Sequence, residues 1–233
     1  MIHIGIDDTD TIDTAGTNQL ARRLAAALPP GFAFVAALRH QLLFDPRIPY
    51  TSKNGSASLL VRAERGREAR ELPAVLEREM RAWYVPGSDP GLCVADAVPE
   101  AVMAFGRRCQ SEPVRQREAR AIAEAHGMYL EGFGGTEDGV IGALAAVGLL
   151  ATGNDGRVVH LAGWTWPDAF AGEQPVDAVL ARGVREVRVL SSGERVHDGV
   201  VDVGKHLRPA WRDGGAVLFV EGGAGRWRAV KLQ

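Results

Sequence analysis

Three carboxylates stand close together near the start of the chain, at Asp7, Asp8 and Asp10. They follow residues 2–6, an isoleucine-rich run that predicts a buried strand ending in a polar loop. Like charges at this spacing disfavour ionisation unless a cation offsets them, and Mg²⁺ prefers a few hard oxygen ligands completed by water or phosphate. We therefore predict a magnesium site here. The alternative is a solvated acidic turn that caps the following helix.

Thr17, preceded by Gly16, opens a segment with helical spacing that runs to residue 28. Its hydroxyl and the amides of the first helical turn suit a phosphate group. An ordinary N-cap explains the same residue, because threonine is common at helix starts.

A longer loop covers residues 44–55 and combines prolines, hydroxyls, a lysine and a glycine without periodicity. We expect the end of this loop to grip phosphate oxygens through Thr51, Lys53, Asn54 and Gly55. Its spacing differs from that of a P-loop, and ordinary turns favour the same residue types.

A glycine-rich turn between a predicted strand and an apolar helix supplies four further candidates, Gly134, Gly135, Asp138 and Gly139. Backbone amides at a helix start attract anions, so we expect this turn to contact a nucleotide. A simple strand-to-helix turn explains the pattern equally well, and the Rossmann spacing is absent.

Strands and helices that position these residues alternate irregularly, which predicts an α+β fold. We expect two domains, residues 1–126 and residues 127–233. The element order of the second part, roughly βαβ followed by αβ, suits a ferredoxin-like split βαβ unit.

Composition narrows the class of protein. With 27 basic and 29 acidic residues and a net charge of −2, no whole-protein field recruits polyanions, so nucleic-acid binding would need a local patch. The only cysteines, Cys93 and Cys109, argue against a zinc site or a disulfide framework. No signal peptide and no apolar segment of roughly 20 residues is present, so we expect a cytoplasmic protein without a membrane partner.

The remaining histidines and tryptophans are weaker candidates. His40, His160 and His206 lie in or beside apolar segments and are expected to be packed or surface residues. Core filling explains most of the tryptophans, although an exposed Trp164 or Trp166 could stack on a base.

Several motifs together resemble one family, the archaeal agmatinylcytidine synthetases that modify the wobble cytidine of an isoleucine tRNA. The matching segments are residues 4–10 (IGIDDTD), 17–21 (TNQLA), 89–91 (DPG), 139–148 (GVIGALAAVG) and, more weakly, 216–222 (AVLFVEG). The resemblance covers that family's kinase-like α/β domain and its ferredoxin-like domain. Its OB-fold and zinc-ribbon domains, which grip tRNA, have no counterpart here, so we expect a truncated homologue.

The resemblance implies that ATP activates a carbonyl oxygen, as the family phosphorylates the cytosine 2-carbonyl before agmatine displaces it. Residues carried over by position would hold Mg²⁺ and orient the triphosphate (Asp7, Asp8, Asp10), contact the nucleotide (Thr9) and lie beside the transferred phosphoryl group (Thr17). The family's Lys-Thr-Arg-Gly-Asn-Gly loop corresponds to residues 50–55, YTSKNG. The family's lysine and arginine are missing at their positions, and Lys53 substitutes for one of them.

Three hypotheses follow. The first is ATP- and Mg²⁺-dependent phosphoryl transfer to a carbonyl or hydroxyl oxygen of a small substrate, nucleoside-like or an amide, with amine attack as an optional second step. The second is a tRNA cytidine-modifying ligase that acts with a separate tRNA-binding partner. The third is a non-enzymatic nucleotide-binding regulator. Assembly as a homodimer stays open.

Overall fold

The computed structural model describes residues 1–9, 16–48, 54–165 and 168–232. Helices in these ranges are α1 (Thr17–Ala26), α2 (Pro73–Trp83), α3 (Glu100–Cys109), α4 (Gln116–Ala125), α5 (Gly139–Ala151) and α6 (Val176–Ala181). A short 3₁₀ turn spans Ala69–Glu71. The strands are β1 (Ile2–Asp7), β2 (Phe32–Gln41), β3 (Gly55–Ala63), β4 (Gly91–Ala95), β5 (Tyr129–Gly132), β6 (Arg157–Leu161), β7 (Glu173–Pro175), β8 (Glu186–Val189), β9 (Arg195–Val196), β10 (Val200–Asp202), β11 (Ala210–Arg212), β12 (Gly215–Gly223) and β13 (Arg226–Ala229).

The described strands form one extended sheet in the order β5-β4-β1-β3-β2-β6-β11-β12-β13-β10-β7, with β8 beside β12 and β9 beside β8. Pairing is antiparallel from β5 through β13, while the β10–β13 and β12–β8 pairs are parallel. The predicted α+β class is confirmed. The division after residue 126 stays a prediction, and β5, just beyond it, pairs with β4.

Helices cover both faces of the sheet around β1. On one face, Leu20 of α1 and Leu76 of α2 pack with Ile4 and Ile6 of β1. On the other face, α5 joins α3 and α4 in a second apolar cluster that includes Cys93 of β4. Since β1 is buried on both sides, it reads as a nearly continuous apolar run, and its polar continuation emerges only at its carboxyl end.

Helix α5 lies unusually close to the sheet because glycines form the contact. A side chain on Gly5 would come within 1.9 Å of the Ala143 carbonyl oxygen, and one on Gly91 within 2.2 Å of Gly139. Backbone therefore meets backbone, and the start of α5 is held against the ends of β1 and β4. None of the described helices has the length and apolar character needed to cross a membrane.

Candidate functional site

A cleft of about 800 Å³ opens at the carboxyl end of β1. Two helices, α1 and α5, begin at its wall, one from each face of the sheet. Neither helix has a side-chain hydrogen bond at its N-cap or an acidic residue in its first turn. The positive ends of two helix dipoles thus converge on one opening, which favours a bound anion. Predicted site residues that line the cleft are Asp7, Asp8, Thr17, Asn54, Gly55, Asp138 and Gly139.

Asp7 is the last residue of β1, and its carboxylate rests on the first turn of α5. A side chain on Gly142 would meet Asp7 Oδ2 at 1.7 Å, so only glycine leaves room for the carboxylate. This close approach fixes the direction in which Asp7 enters the cleft.

Asp8 has a left-handed backbone, with φ of 47°. Its carbonyl oxygen accepts a hydrogen bond of 3.1 Å from the Asp89 amide, which ties the end of β1 to the segment before β4. Aspartate tolerates this conformation better than most residues, but the conformation still carries strain. Held strain beside two carboxylates and two helix starts is typical of a functional site.

Thr9 is 1% exposed, and its hydroxyl donates to Thr17 Oγ1 at 3.1 Å. The threonine that opens α1 is therefore oriented by a buried neighbour at the end of β1. Thr9 is placed to position Thr17, while its predicted nucleotide contact stays a prediction.

Asn54 anchors the base of the long loop. Its side-chain amide donates to the Leu43 carbonyl oxygen at 2.7 Å, and its backbone carbonyl oxygen accepts from Gln41 Nε2 at 2.6 Å. Gly55 lies beneath the Arg39 guanidinium, because a side chain there would meet Arg39 Nη2 at 2.3 Å. Three predicted residues, Asp10, Thr51 and Lys53, lie outside the described residues.

The glycine-rich turn before α5 is organised by Asp89. Its carboxylate accepts hydrogen bonds from the amides of Thr136, Glu137 and Asp138, at 3.1, 2.6 and 3.2 Å, and from the Thr136 hydroxyl at 2.5 Å. Sequence reasoning noticed Asp89 only as part of a turn.

The four glycine-rich candidates separate into two pairs. Asp138 and Gly139 line the cleft. Gly134 lies against the Tyr84 ring and Gly135 against the Asp89 carboxylate, and neither is among the described cleft-lining residues.

A buried polar network, which sequence reasoning missed, lies behind the cleft. His40 is fully buried, with Nδ1 at 2.6 Å from Asp155 Oδ1 and Nε2 at 2.7 Å from Ser58 Oγ. Gln110 donates to the other Asp155 oxygen at 2.9 Å and to the Gln41 carbonyl oxygen at 3.1 Å. Burial opposes ionisation of Asp155, but its hydrogen bonds with His40 and Gln110 lower its pKa overall. Because Ser58 is itself fully buried, we interpret the network as a support for β2 and the following loop.

The tryptophan, histidine and cysteine residues singled out in the sequence are assigned no chemical role. Trp164 is 9% exposed and donates through Nε1 to the Arg182 carbonyl oxygen, so it is a core residue; Trp166 lies outside the described residues. His160 stacks on Phe34, and His206 is exposed. Cys109 lines the cleft, but burial raises the pKa of its thiol to about 12, which makes it a poor nucleophile.

The described residues include two of the three predicted metal ligands, Asp7 and Asp8. Within the described residues, no group of three or more His, Cys, Asp or Glu side chains is arranged to hold a metal ion. Asp10 lies outside those residues, so the three-carboxylate site stays a prediction. The donors that the structure does place at the cleft, Asp7 and Asp8, are hard carboxylate oxygens of the kind Mg²⁺ prefers.

The fold and cleft together define a class: an α+β protein with a cleft at a strand end where two helices begin, bordered by carboxylates. No protein-family model matches the chain. Two curated relatives are tRNA(Ile2) 2-agmatinylcytidine synthetases. The one from Cenarchaeum symbiosum is 30% identical over 151 residues, which is 63% of this chain and 33% of the relative. The one from Pyrococcus horikoshii is 30% identical over 152 residues, 64% and 35% of the two chains.

Solved structures agree in fold. A tRNA fluorescent labeling enzyme matches with a TM-score of 0.55 at 24% identity, over 63% of this chain and 35% of the other. The TiaS–tRNA(Ile2)–ATP complex matches with a TM-score of 0.55 at 21% identity, over 77% and 43%. The resemblance predicted from the sequence is thus confirmed: the chain is similar to part of the agmatinylcytidine synthetase TiaS. It spans about a third of the length of the curated relatives.

Proposed function

We propose that this chain is an ATP-dependent, ligase-like enzyme that binds the triphosphate in the cleft and transfers a phosphoryl group to a base carbonyl oxygen of a tRNA cytidine. An amine then attacks the activated base carbon, and the oxygen leaves with the phosphoryl group as inorganic phosphate. The relatives support this RNA-directed reaction better than the small-molecule substrate considered first, because the curated proteins it matches are named for tRNA(Ile2) and 2-agmatinylcytidine.

One observation carries the ATP assignment: the N-termini of α1 and α5 converge on the carboxyl end of β1, beside Asp7 and Asp8. Phosphoryl transfer demands positioning and charge neutralisation more than a reactive side chain. Two helix starts supply amides for phosphate oxygens, and the Thr17 hydroxyl lies at one of them. Such a cleft suits a triphosphate better than a neutral ligand.

Mg²⁺ fits the same place. Asp7 and Asp8 would hold the ion, joined in this proposal by Asp10. Bound there, Mg²⁺ would neutralise charge on the phosphate oxygens during transfer. Asp7 is directed by its contact with Gly142, and Asp8 by the backbone hydrogen bond to Asp89. The Asp7 carboxylate and the Asp8 backbone are thus held before any ligand arrives, which lowers the cost of assembling the site.

The test follows the terminal phosphate of ATP. Purified protein is incubated with Mg²⁺ and ATP labelled at that phosphate, alone, with pooled tRNA, with tRNA plus agmatine, or with a metabolite extract. We expect label release that tRNA stimulates and that Asp8→Asn abolishes. Asparagine keeps the left-handed backbone that residue 8 requires, so the loss would report on charge.

Other outcomes decide against the proposal. Stimulation by the metabolite extract but not by tRNA would restore the small-molecule substrate. ATP that is bound but never consumed under any condition would indicate the non-enzymatic regulator. Full turnover by Asp8→Asn would show that the Asp8 carboxylate is not needed for the reaction.

A further inference from the structure

Two arginines face each other on neighbouring strands at the cleft wall. Arg39 of β2 and Arg157 of β6 are directly paired in the antiparallel ladder, and both line the cleft. Like charges directly opposite each other destabilise a sheet. Some compensating partner is therefore expected.

No carboxylate in the described part of the chain lies within ion-pair distance of either arginine. Neither arginine forms an ion pair there, whereas arginines elsewhere, such as Arg182 and Arg188, pair with Asp168 and Glu186. Arg39 Nη1 donates to Gln41 Oε1 at 3.2 Å. Arg157 Nε is buried without a hydrogen-bond partner among the described residues. A buried N–H donor without a partner costs free energy, which a ligand bound at Arg157 would recover.

Arg208 adds a third positive charge beside Arg39 and Arg157, and these three residues are called the arginine row. It precedes Pro209, whose carbonyl oxygen accepts from the Val158 amide at 2.8 Å, so Arg208 lies beside the start of β6. Burial and the Arg157 charge both lower its pKa, with Arg22 adding to the effect. Asp168 opposes this shift, but its carboxylate is already paired with Arg182.

The arginine row starts at Arg39, near the proposed ATP site, and its other members lie farther from that site. Burial lowers the pKa of Arg39, the Arg157 charge lowers it further, and the Asp7 charge opposes the shift, so Arg39 lies within electrostatic reach of both. Gly55 on the intervening strand β3 makes room for the Arg39 guanidinium. Arg157 stands on the third strand from β1, and at about 4.8 Å per strand its backbone is roughly 14 Å from β1.

We infer that Arg157 and Arg208 form a second anion site, which holds phosphate groups of the RNA substrate while the neighbouring base reaches the ATP site. The inference rests on the proposed function. Guanidinium groups bind phosphodiester oxygens in bidentate fashion, which would satisfy the buried Arg157 nitrogen. With a net charge of −2, the chain needs such a local patch to attract RNA.

The test compares Arg157→Gln and Arg208→Gln with a matched control, Arg226→Gln. Arg226 is an exposed arginine on β13 that pairs with Glu173. Binding of a fluorescent cytidine-containing RNA stem-loop is measured by anisotropy over a salt series, and ATP binding with Mg²⁺ by calorimetry. We expect each test variant to weaken RNA binding about tenfold and to reduce the salt slope by about one, with ATP affinity unchanged. The control should match wild type.

Competition identifies the source of the phosphate. Unlabelled RNA should displace the probe from wild type far better than cytidine 5′-monophosphate, and cytidine should not compete. Equal competition by the monophosphate and RNA would overturn the RNA assignment. Equal loss of ATP and RNA affinity in the variants would place both arginines in the ATP site instead. RNA binding without ATP turnover would contradict the proposed function but would not contradict the RNA-phosphate site inferred here.

Thermal stability separates a binding role from a structural one. Because the paired arginines repel each other, Arg157→Gln should raise Tm while it weakens RNA binding. Arg157→Lys keeps the charge and should retain most of the salt slope, which covers the case in which the glutamine variant fails to fold. A lower Tm with unchanged RNA affinity would make Arg157 structural and overturn the inference.

Discussion

The Asp7 carboxylate occupies the space that a side chain on Gly142 would need, with Oδ2 at 1.7 Å from the position of the missing Cβ. Asp7 ends β1, and Gly142 lies in the first turn of α5. Their contact explains why a glycine stands at a helical position where alanine would otherwise be favoured.

Gly142→Ala should therefore displace Asp7 without unfolding the protein. Alanine raises helix propensity by about 1 kcal/mol, but this offsets only part of the clash, because the added Cβ would also lie 2.8 Å from Asp7 Cβ; Tm should therefore fall moderately. A shift of the carboxylate by roughly 1 Å should lower phosphoryl-transfer turnover about a hundredfold. The control is Gly223→Ala, where the added methyl group meets open space. Wild-type turnover in Gly142→Ala would show that the position of Asp7 is unimportant.

Substitutions at Asp8 should separate backbone strain from chemistry. In Asp8→Ala the backbone at residue 8 stays left-handed, but the polar side chain that makes this conformation tolerable is gone. The variant should lose about 1 kcal/mol of unfolding free energy. Asp8→Gly removes that strain and should be at least as stable as wild type. Both variants should lose turnover. Urea denaturation and the labelled-phosphate assay measure the two effects, and a stable, active Asp8→Gly would contradict the proposed metal role.

Asp89→Ala should loosen the turn before α5. Four hydrogen bonds to the carboxylate disappear, which should lower the unfolding free energy by about 2 kcal/mol. ATP affinity should fall because the start of α5 is no longer held. Hydrogen exchange should report faster exchange at residues 136–138 in particular. An increase spread evenly over the whole chain would indicate general destabilisation instead.

His3 should make the fold sensitive to mild acid. Burial, with help from the N-terminal charge and against a hydrogen bond involving Ala95, lowers its pKa from 6.5 to about 4. The unfolded chain then binds a proton more readily than the folded chain. The stabilisation is complete above pH 6.5 and is lost as pH falls toward 4, by about 3 kcal/mol at most.

His3→Leu should flatten this part of the stability profile. Urea denaturation of wild type and variant at several pH values between 7 and 4 measures it. His126→Leu is a suitable control, because His126 is exposed at the end of α4. Parallel profiles for wild type and His3→Leu would assign the acid sensitivity to other groups.

Local patterns were sufficient for the elements with strong periodicity. Strand β1, helix α1 and the apolar helix α5 occur where they were predicted, because their hydrophobic spacing and glycine or proline boundaries act over a few residues. The short strands β7, β9, β10 and β13 were not predicted. Two to four residues carry too little periodicity, and pairing with distant strands decides them.

The candidate site divides in the same way. Types and spacing alone identified Asp7, Asp8, Thr17, Asn54, Gly55, Asp138 and Gly139 as chemically suited residues, since charge, hydroxyl groups and glycine are local properties. Tertiary structure alone brought them to one cleft, because strand order and helix packing depend on contacts distant in sequence. It also revealed Arg157 opposite Arg39 and Asp155 against His40, pairs separated by more than a hundred residues. No spacing along the chain could have indicated those contacts.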